Sequence, residues 1–236
     1  MNMPLNTSAD IGDPVAQARY NMIEQQIRPW NVLDPQILEL LSVVRREDFV
    51  PPAYRGMAFM DTEIPLNSNT EEAQRLGQLM LAPRVEARLT QDLQIKPTDR
   101  VLEIGAGSGY MAALLAYRAE RVVSLEIVPD LVEFARENLR SAGVHNADVR
   151  QADGALDPIQ DGPFDVIVLS GSVAEVPQKL LAHLRDGGRL AAIVGNEPMM
   201  RATIVRRTGD RFETSTPWDT IAARLQHFPE PSGFTF

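Results

Sequence analysis

The sequence predicts an α/β fold in which a doubly wound, mostly parallel sheet follows an N-terminal helical segment and ends in an antiparallel hairpin. After Lys96-Pro97, short runs rich in β-branched residues alternate with runs of helical periodicity. That alternation is typical of βαβ units and of a parallel sheet. Near the C-terminus, two further strand-like runs flank Gly209-Asp210, a residue pair that favours a tight turn between antiparallel strands.

The part of the chain before Lys96 is predicted to be largely helical. From Pro14 onward apolar residues recur at helical spacing, and Asp34 followed by Pro35 is typical of the start of a second helix. A stretch rich in proline and turn residues comes next, and Pro83 then begins another helical pattern. The expected organisation is a flexible tail (residues 1–13), a helical and lid segment (14–96) and an α/β core that binds the ligand (97–236).

Within the core, predicted strands alternate with predicted helices. The runs that predict strands are "RVLEIG", "RVVSLE", "ADVRQAD", "FDVIVLSG" and "GRLAAIVG". The runs that predict helices are "YMAALLAYRA", "PDLVEFARENLRSAG" and "VPQKLLAHLRDGG". The closing hairpin comes from "RATIVRRTGDRFETST".

Composition narrows the functional class. The chain has 236 residues, of which 44% are hydrophobic, so it can bury one sizeable core. Its formal net charge of -9 offers little of the attraction that drives nucleic-acid binding. No apolar run approaches the length of a membrane span, and the first residues lack the basic start and apolar core of a signal peptide. We therefore expect a cytoplasmic protein whose partner is neither nucleic acid nor membrane.

The same composition argues against a metal centre. The chain has no cysteine, which excludes disulfides and thiolate ligands. Its three histidines, His145, His183 and His227, are widely separated and form no metal-binding motif. We therefore assign no metal.

A glycine-rich turn, "VLEIGAGSGY" at residues 101–110, is the first sign of a binding site. Gly105, Gly107 and Gly109 allow positive φ angles and the close approach of a ligand to the backbone, although glycines also form ordinary tight turns. The turn follows the first strand of the core, and ligands of open α/β sheets bind at the carboxyl ends of the strands. Position and composition together favour a binding loop.

Acidic residues are expected at the ends of the next two strands. Glu126 follows Gly105 by 21 positions, where a carboxylate can accept hydrogen bonds from two ribose hydroxyls; alternatively, it is a solvated carboxylate at a strand end. Asp153 precedes Gly154 and can accept a hydrogen bond from the exocyclic amine of a base; alternatively, the pair forms only a turn. The functional interpretation of both carboxylates predicts a nucleoside ligand.

The spacing G-x-G-x-G helps to distinguish between nucleotides. Dinucleotide sites typically use G-x-G-x-x-G, with a helix N-terminus facing a pyrophosphate. Glu103 precedes the loop, where its carboxylate would repel a pyrophosphate but attract an amino group or a sulfonium, directly or through water. Alternatively, Glu103 is a half-buried strand residue paired with an arginine. These features favour S-adenosylmethionine over NAD as the cofactor.

With these motifs the sequence resembles the class I S-adenosylmethionine methyltransferases, and within them the protein-L-isoaspartate O-methyltransferases. The resemblance extends from Arg19 to about Gly195. It rests on "REDFVP", the cofactor loop "VLEIGAGSGYMAALLA", "QADG", "PFDVIV" and "VPQKLLAHLRDGGRLAAIVG". It implies a class I methyltransferase (Rossmann-like) fold and an enzyme of protein repair that methylates the isoaspartyl carboxylate of aged proteins.

The resemblance also implies which residues bind. The implied cofactor contacts are Glu103, Gly105, Ala106, Gly107, Ser108, Gly109, Glu126, Ile127, Asp153, Gly154 and Ser170. The implied substrate lid contains Gln78, Leu79, Met80, Leu81 and Pro83. Methyl transfer to an ionised carboxylate requires no general base, so no catalytic residue is assigned.

One departure from the family pattern concerns the acceptor. Family members usually have "GQTIS-x-P" before the cofactor domain, whereas residues 77–83 of this chain are "GQLMLAP". Leu79 and Leu81 cannot donate the hydrogen bonds that hydroxyls there would donate to a substrate. Three alternatives stay open: a methyltransferase with another peptide or a small metabolite as acceptor, a cofactor-binding scaffold without turnover, and an NAD-dependent oxidoreductase. The glycine spacing and the lack of a second domain disfavour the last.

The C-terminal stretch "FPEPSGFTF" is apolar for a chain end. Phe228, Phe234 and Phe236 supply this character. We expect the stretch to dock on the body of the protein, over the terminal hairpin, or on a neighbouring molecule.

Overall fold

The computed structural model describes residues 12–230 of the chain. The strands in this part form a seven-stranded sheet and a short two-stranded sheet. The short sheet pairs β1 (Ile64–Pro65) with β2 (Leu79–Met80). The strands of the large sheet are β3 (Arg100–Ile104), β4 (Arg121–Glu126), β5 (Ala147–Gln151), β6 (Phe164–Val173), β7 (Leu184–Asn196), β8 (Met199–Thr208) and β9 (Arg211–Asp219).

The order across the large sheet is β5-β4-β3-β6-β7-β8-β9. Strands β3 to β7 are parallel, whereas β8 and β9 each run antiparallel to the preceding strand. This arrangement confirms the predicted mostly parallel sheet and its closing hairpin. The chain winds outward from β3 to β5 and then crosses to β6, so the direction of winding reverses between β3 and β6. Ligands of open α/β sheets bind beside such a reversal, at the carboxyl ends of the strands.

Helices begin where the sequence supplies caps. Asp34 caps the second helix by accepting a hydrogen bond from the amide of Gln36 at 2.9 Å. Asp13 belongs to the predicted tail, yet it caps the first helix in the same way; residues 1–11 of that tail lie outside the described residues. The α-helices of the described part are α1 (Pro14–Met22), α2 (Pro35–Val43), α3 (Thr70–Leu76), α4 (Pro83–Leu93), α5 (Tyr110–Ala116), α6 (Pro129–Ser141) and α7 (Gln178–Leu181).

Helix α7 corrects one prediction from the sequence. The run "VPQKLLAHLRDGG" was expected to be a helix, but α7 has only four residues, and β7 begins at Leu184. Leu184 is aligned with Phe164 of β6, and the amide of Phe164 donates to the carbonyl of His183 at 2.8 Å. The apolar residues of this run are therefore shared between a short helix and a strand.

Two hydrophobic clusters pack on the two faces of the sheet. Val101 and Val122 belong to the cluster that contains the N-terminal helices and α4 to α6, whereas Leu102 and Val123 belong to the cluster on the other face. Phe228 is 8% exposed and belongs to that second cluster; Phe234 and Phe236 lie outside the described residues. None of the helices between residues 12 and 230 has the length and apolar character to cross a bilayer.

Candidate functional site

The glycine loop joins β3 to α5 at the carboxyl edge of the sheet. Gly105, Gly107 and Gly109 have φ angles of 91°, 53° and 83°, which residues with a side chain rarely adopt. Gly109 also lacks space for a side chain, because a Cβ there would lie 3.1 Å from the carbonyl oxygen of Ala135. The conformation of this loop therefore depends on glycine.

A cavity of about 70 Å³ lies between the glycine loop, the ends of β4 and β5, and the lid segment. The predicted cofactor residues that line it are Gly105, Gly107, Glu126, Ile127, Asp153, Gly154 and Ser170. Gln78 and Leu79 of the predicted lid line it as well. The remaining predicted residues are buried outside this lining: Met80, Leu81, Pro83, Glu103, Ala106, Ser108 and Gly109.

Glu126 is buried at the end of β4 and anchors the glycine loop. Its Oε2 accepts a hydrogen bond from the amide of Gly107 at 2.8 Å, and its Oε1 accepts one from the amide of Val128 at 3.0 Å. A solvated strand-end carboxylate would have neither the burial nor these partners. Each carboxylate oxygen keeps a second lone pair, so Glu126 can also accept hydrogen bonds from hydroxyls in the cavity.

Glu103 is fully buried in β3 and reaches the cavity through a serine. Its carboxylate accepts hydrogen bonds from the hydroxyls of Ser124 at 2.6 Å and Ser170 at 2.7 Å, and Ser170 lines the cavity. These partners are serines, not the arginine of the alternative interpretation. Burial raises the pKa of Glu103 to about 8; the serine hydrogen bonds oppose the rise, and Glu86 and Glu126 add to it. A cation in the cavity would favour the ionised form.

Asp153 lies just beyond β5, and both of its oxygens have hydrogen-bond partners within the protein. Its Oδ1 accepts from the amides of Ala155 and Leu156 at 2.9 and 3.1 Å, and its Oδ2 lies 2.5 Å from Nδ1 of His227. Burial alone would raise the pKa of Asp153, but the hydrogen bonds from His227 and the two amides outweigh it and hold the pKa below its ordinary value. Asp153 is therefore an ionised acceptor at the edge of the cavity.

Leu79 and Leu81, the two lid residues that stand where the family pattern has hydroxyls, lie in different surroundings. Leu79, in β2, lines the cavity, whereas Leu81 is 3% exposed within the hydrophobic core. The carbonyl of Leu81 accepts a hydrogen bond from Nη2 of Arg46 at 2.7 Å, and the buried guanidinium of Arg46 forms an ion pair with Glu86. Arg46 thus fixes the lid backbone to the core.

The C-terminal segment completes the lining with residues that the sequence did not predict for the site. Arg224, Leu225, Gln226 and Phe228 line the cavity after the end of β9. They follow the last strand and belong to no helix, so they lack the periodicity that predicts the other elements. The apolar character of Phe228 was the one signal in the sequence that this segment packs on the body of the protein.

The family model and the related sequences indicate the same protein family. The family model described as protein-L-isoaspartate(D-aspartate) O-methyltransferase matches residues 17–221. A protein-L-isoaspartate O-methyltransferase of Methanoculleus marisnigri is 40% identical over 203 residues, which cover 86% of this chain and 88% of the relative. The protein of the same name from Yersinia enterocolitica is 36% identical over 198 residues, which cover 84% of this chain and 91% of the relative.

Solved structures share the fold at lower identity. A Plasmodium falciparum chain assigned as a protein-L-isoaspartate O-methyltransferase, in complex with S-adenosyl-L-homocysteine, aligns with a TM-score of 0.71 at 19% identity and covers 89% of this chain and 97% of that one. A second protein-L-isoaspartate O-methyltransferase aligns with a TM-score of 0.70 at 23% identity, covering 87% of this chain and 66% of that one. At these identities the likeness concerns the fold.

Proposed function

Because the chain belongs to the protein-L-isoaspartate(D-aspartate) O-methyltransferase family, we propose that it transfers a methyl group from S-adenosylmethionine to the isoaspartyl carboxylate of damaged proteins. The family match includes the lid, the glycine loop and the ends of β3 to β7. The observation that carries the proposal is that Gly107, Glu126 and Ser170 line one cavity together with the lid.

The residues around this cavity fit the cofactor. Glu126, at the end of β4, suits the two ribose hydroxyls, and Asp153 suits the amine of the adenine. A Cβ at position 154 would collide with the side chain of Ile104, the last residue of β3, so only glycine fits at this position. Ser170 and the Glu103 carboxylate behind it suit the amino group and the sulfonium, because a buried acidic group attracts cations.

The chemistry makes modest demands on the protein. When bound, S-adenosylmethionine supplies a methyl group on a sulfonium; a carboxylate oxygen that attacks this carbon forms a methyl ester, while the C–S electron pair stays on the sulfur of S-adenosylhomocysteine. A carboxyl group with a pKa of about 4 is ionised at neutral pH, so the acceptor needs no general base. The task left to Gln78, Leu79 and the glycine loop is to orient the acceptor and to exclude water.

Leu79 favours a second candidate acceptor. It lines the cavity where family members carry a hydroxyl, so position 79 gives an acceptor carboxylate an apolar contact and no hydrogen bond. The alternative function is therefore the same methyl transfer to another peptide or to a small carboxylate. A protein or peptide substrate follows from the family and remains the leading proposal.

Two further expectations stay predictions. The division into a lid segment (14–96) and a cofactor-binding core (97–236) would be supported by a core fragment that binds the cofactor. A cytoplasmic location would be supported by fractionation of the cells that express the protein.

Ligand binding and methyl transfer together test the proposed function. In titration calorimetry we expect S-adenosylmethionine and S-adenosylhomocysteine to bind and NAD not to bind. With labelled cofactor we expect a base-labile methyl ester on an isoaspartyl peptide. Cofactor binding without transfer to any carboxylate would indicate a scaffold, and binding of NAD without S-adenosylhomocysteine would contradict the proposal.

A further inference from the structure

The C-terminal strap, defined as residues 222–228, crosses the carboxyl edge of the sheet. It lies beyond the part of the chain that the family model matches, which ends at residue 221. The strap pairs with the end of β6: the amide of Ser172 donates to the carbonyl of Ala223 at 2.7 Å, and the amide of Leu225 donates to the carbonyl of Ser172 at 2.9 Å. These bonds hold residues 223–225 of the strap on the sheet.

Four residues of the strap line the cavity: Arg224, Leu225, Gln226 and Phe228. The side chain of Leu225 packs directly on the glycine loop, since a Cβ on Gly105 would lie 2.9 Å from its Cδ2. The side chain of Gln226 connects the strap to the end of α3 by donating a hydrogen bond to the carbonyl of Leu76 at 2.9 Å. The cavity beneath the strap has a volume of about 70 Å³. Pockets that enclose ligands of cofactor size have volumes of about 300–1,000 Å³, so the strap in this position leaves too little space.

His227 holds the strap down at the edge of the cavity. Its Nδ1 lies 2.5 Å from Oδ2 of Asp153, and its side chain is 50% exposed while that of Asp153 is 14% exposed. His227 also has a φ of 64°, in the left-handed region that is unfavourable for residues with a side chain. Because it is half exposed, the side chain of His227 can leave Asp153 for solvent without disturbing the core.

We propose that the strap is a gate over the cofactor site, that the His227–Asp153 hydrogen bond is its latch, and that the cofactor and His227 compete for Asp153. This inference rests on the proposed function, because it takes Asp153 as the partner of the adenine amine. In the free protein the gate is closed, and cofactor binds only after the latch opens. A protein whose binding-competent state is a minor fraction shows a reduced apparent affinity, so removal of the latch tightens binding.

A positioning role for His227 predicts the opposite sign. If His227 instead oriented Asp153 toward the adenine, its removal would weaken binding, because the carboxylate would lose a partner that fixes its direction. The sign of the change in affinity therefore separates a latch from a positioning residue.

The test compares His227→Ala with the wild-type protein, using S-adenosylhomocysteine as the probe in calorimetry and in stopped-flow binding. We expect the Kd to fall by about 3- to 10-fold, the effect of one net hydrogen bond. The association rate constant should rise by the same factor, and the dissociation rate constant should stay unchanged. The matched control is His145→Ala, which removes an exposed histidine outside the cavity lining and should keep wild-type binding constants.

The outcomes separate this inference from the function on which it rests. A Kd that rises or stays unchanged in His227→Ala, while the wild-type protein binds S-adenosylhomocysteine, overturns the latch alone. Absence of binding in both proteins overturns the proposed function and the latch with it. Tighter binding reached through a slower dissociation rate also contradicts competition for Asp153.

Discussion

The amide of Gly107 donates a hydrogen bond to Oε2 of Glu126 at 2.8 Å, so the glycine loop and the end of the neighbouring strand form one unit. The bond explains why the loop and the acidic residue occur together at this spacing. The carboxylate proposed to bind the ribose also fixes the backbone that the cofactor approaches. A change at Glu126 therefore affects both contacts.

Glu126→Ala is expected to weaken S-adenosylhomocysteine binding by about 1–3 kcal/mol, because two ribose hydroxyls and the Gly107 amide lose a charged acceptor. Calorimetry measures the change. Glu120→Ala, which removes an exposed carboxylate, is the control and should bind as the wild-type protein does. Wild-type affinity in a folded Glu126→Ala protein would show that this carboxylate does not bind the ligand.

The buried carboxylate of Glu103 predicts a pH dependence for cofactor binding. Its pKa is about 8 in the free protein, so a bound sulfonium, which favours the carboxylate, lowers this pKa and releases a proton. S-adenosylmethionine should therefore bind more tightly, relative to S-adenosylhomocysteine, as the pH rises from about 7 to about 9. Parallel titrations of the two ligands measure this ratio. Glu103→Gln should abolish its pH dependence, and a ratio that is independent of pH in the wild-type protein would contradict the role of Glu103.

A comparison of two glycines distinguishes the cost of an unfavourable backbone conformation from the cost of overpacking. Gly187 has a φ of 75° and open space where a side chain would lie, whereas Gly109 has a φ of 83° and a Cβ there would press on Ala135. Gly187→Ala should lower the free energy of unfolding by about 1 kcal/mol, the cost of a left-handed alanine. Gly109→Ala should lower the free energy of unfolding by about 1–3 kcal/mol more than Gly187→Ala does, because the added methyl group overpacks the contact with Ala135. Denaturant unfolding measures both changes. Equal decreases in the free energy of unfolding would mean that the glycine loop accommodates the added methyl group at no cost.

The lid leucines are expected to differ in their effects. Leu79→Thr returns a hydroxyl to the cavity and should raise turnover on an isoaspartyl peptide by up to about 10-fold, through one hydrogen bond made in the transition state. Leu81→Ser places a hydroxyl in the core and should instead lower the free energy of unfolding by about 2–5 kcal/mol. Steady-state rates and unfolding curves provide the measurements. A wild-type protein that is fully active on the peptide, and that Leu79→Thr only impairs, would remove the support for a different acceptor.

The sequence predicted those parts of the fold that local patterns specify. Alternating strand and helix runs, the Asp34 cap and the turn at Gly209-Asp210 all produce the expected elements. Helix α7 is shorter than predicted because Leu184 belongs to β7. Periodicity in a sequence cannot show which of two adjacent elements contains a given apolar residue. The carboxyl edge of a parallel sheet gathers strand ends, so Glu126 and Asp153 could be predicted to lie near the glycine loop.

The rest of the site depends on contacts between distant parts of the chain. Leu225 of the strap lines the cavity, and His227 contacts Asp153 at the edge of the cavity. These two residues belong to no motif and show no regular spacing. Glu103 was expected near a ligand, but its link to the cavity runs through Ser170, a contact between two strands that only the sheet order reveals. Leu79 and Leu81 looked equivalent in the sequence, and the structure separates them.

The most direct test of the proposed function is the initial rate of labelled methyl transfer to an isoaspartyl peptide, compared with the same peptide carrying a normal aspartyl residue. Both peptides are assayed at saturating S-adenosylmethionine. We expect a base-labile methyl ester on the isoaspartyl peptide and no transfer to the aspartyl one. Equal transfer to both peptides, or transfer to neither by a protein that binds S-adenosylhomocysteine, would contradict the proposed function.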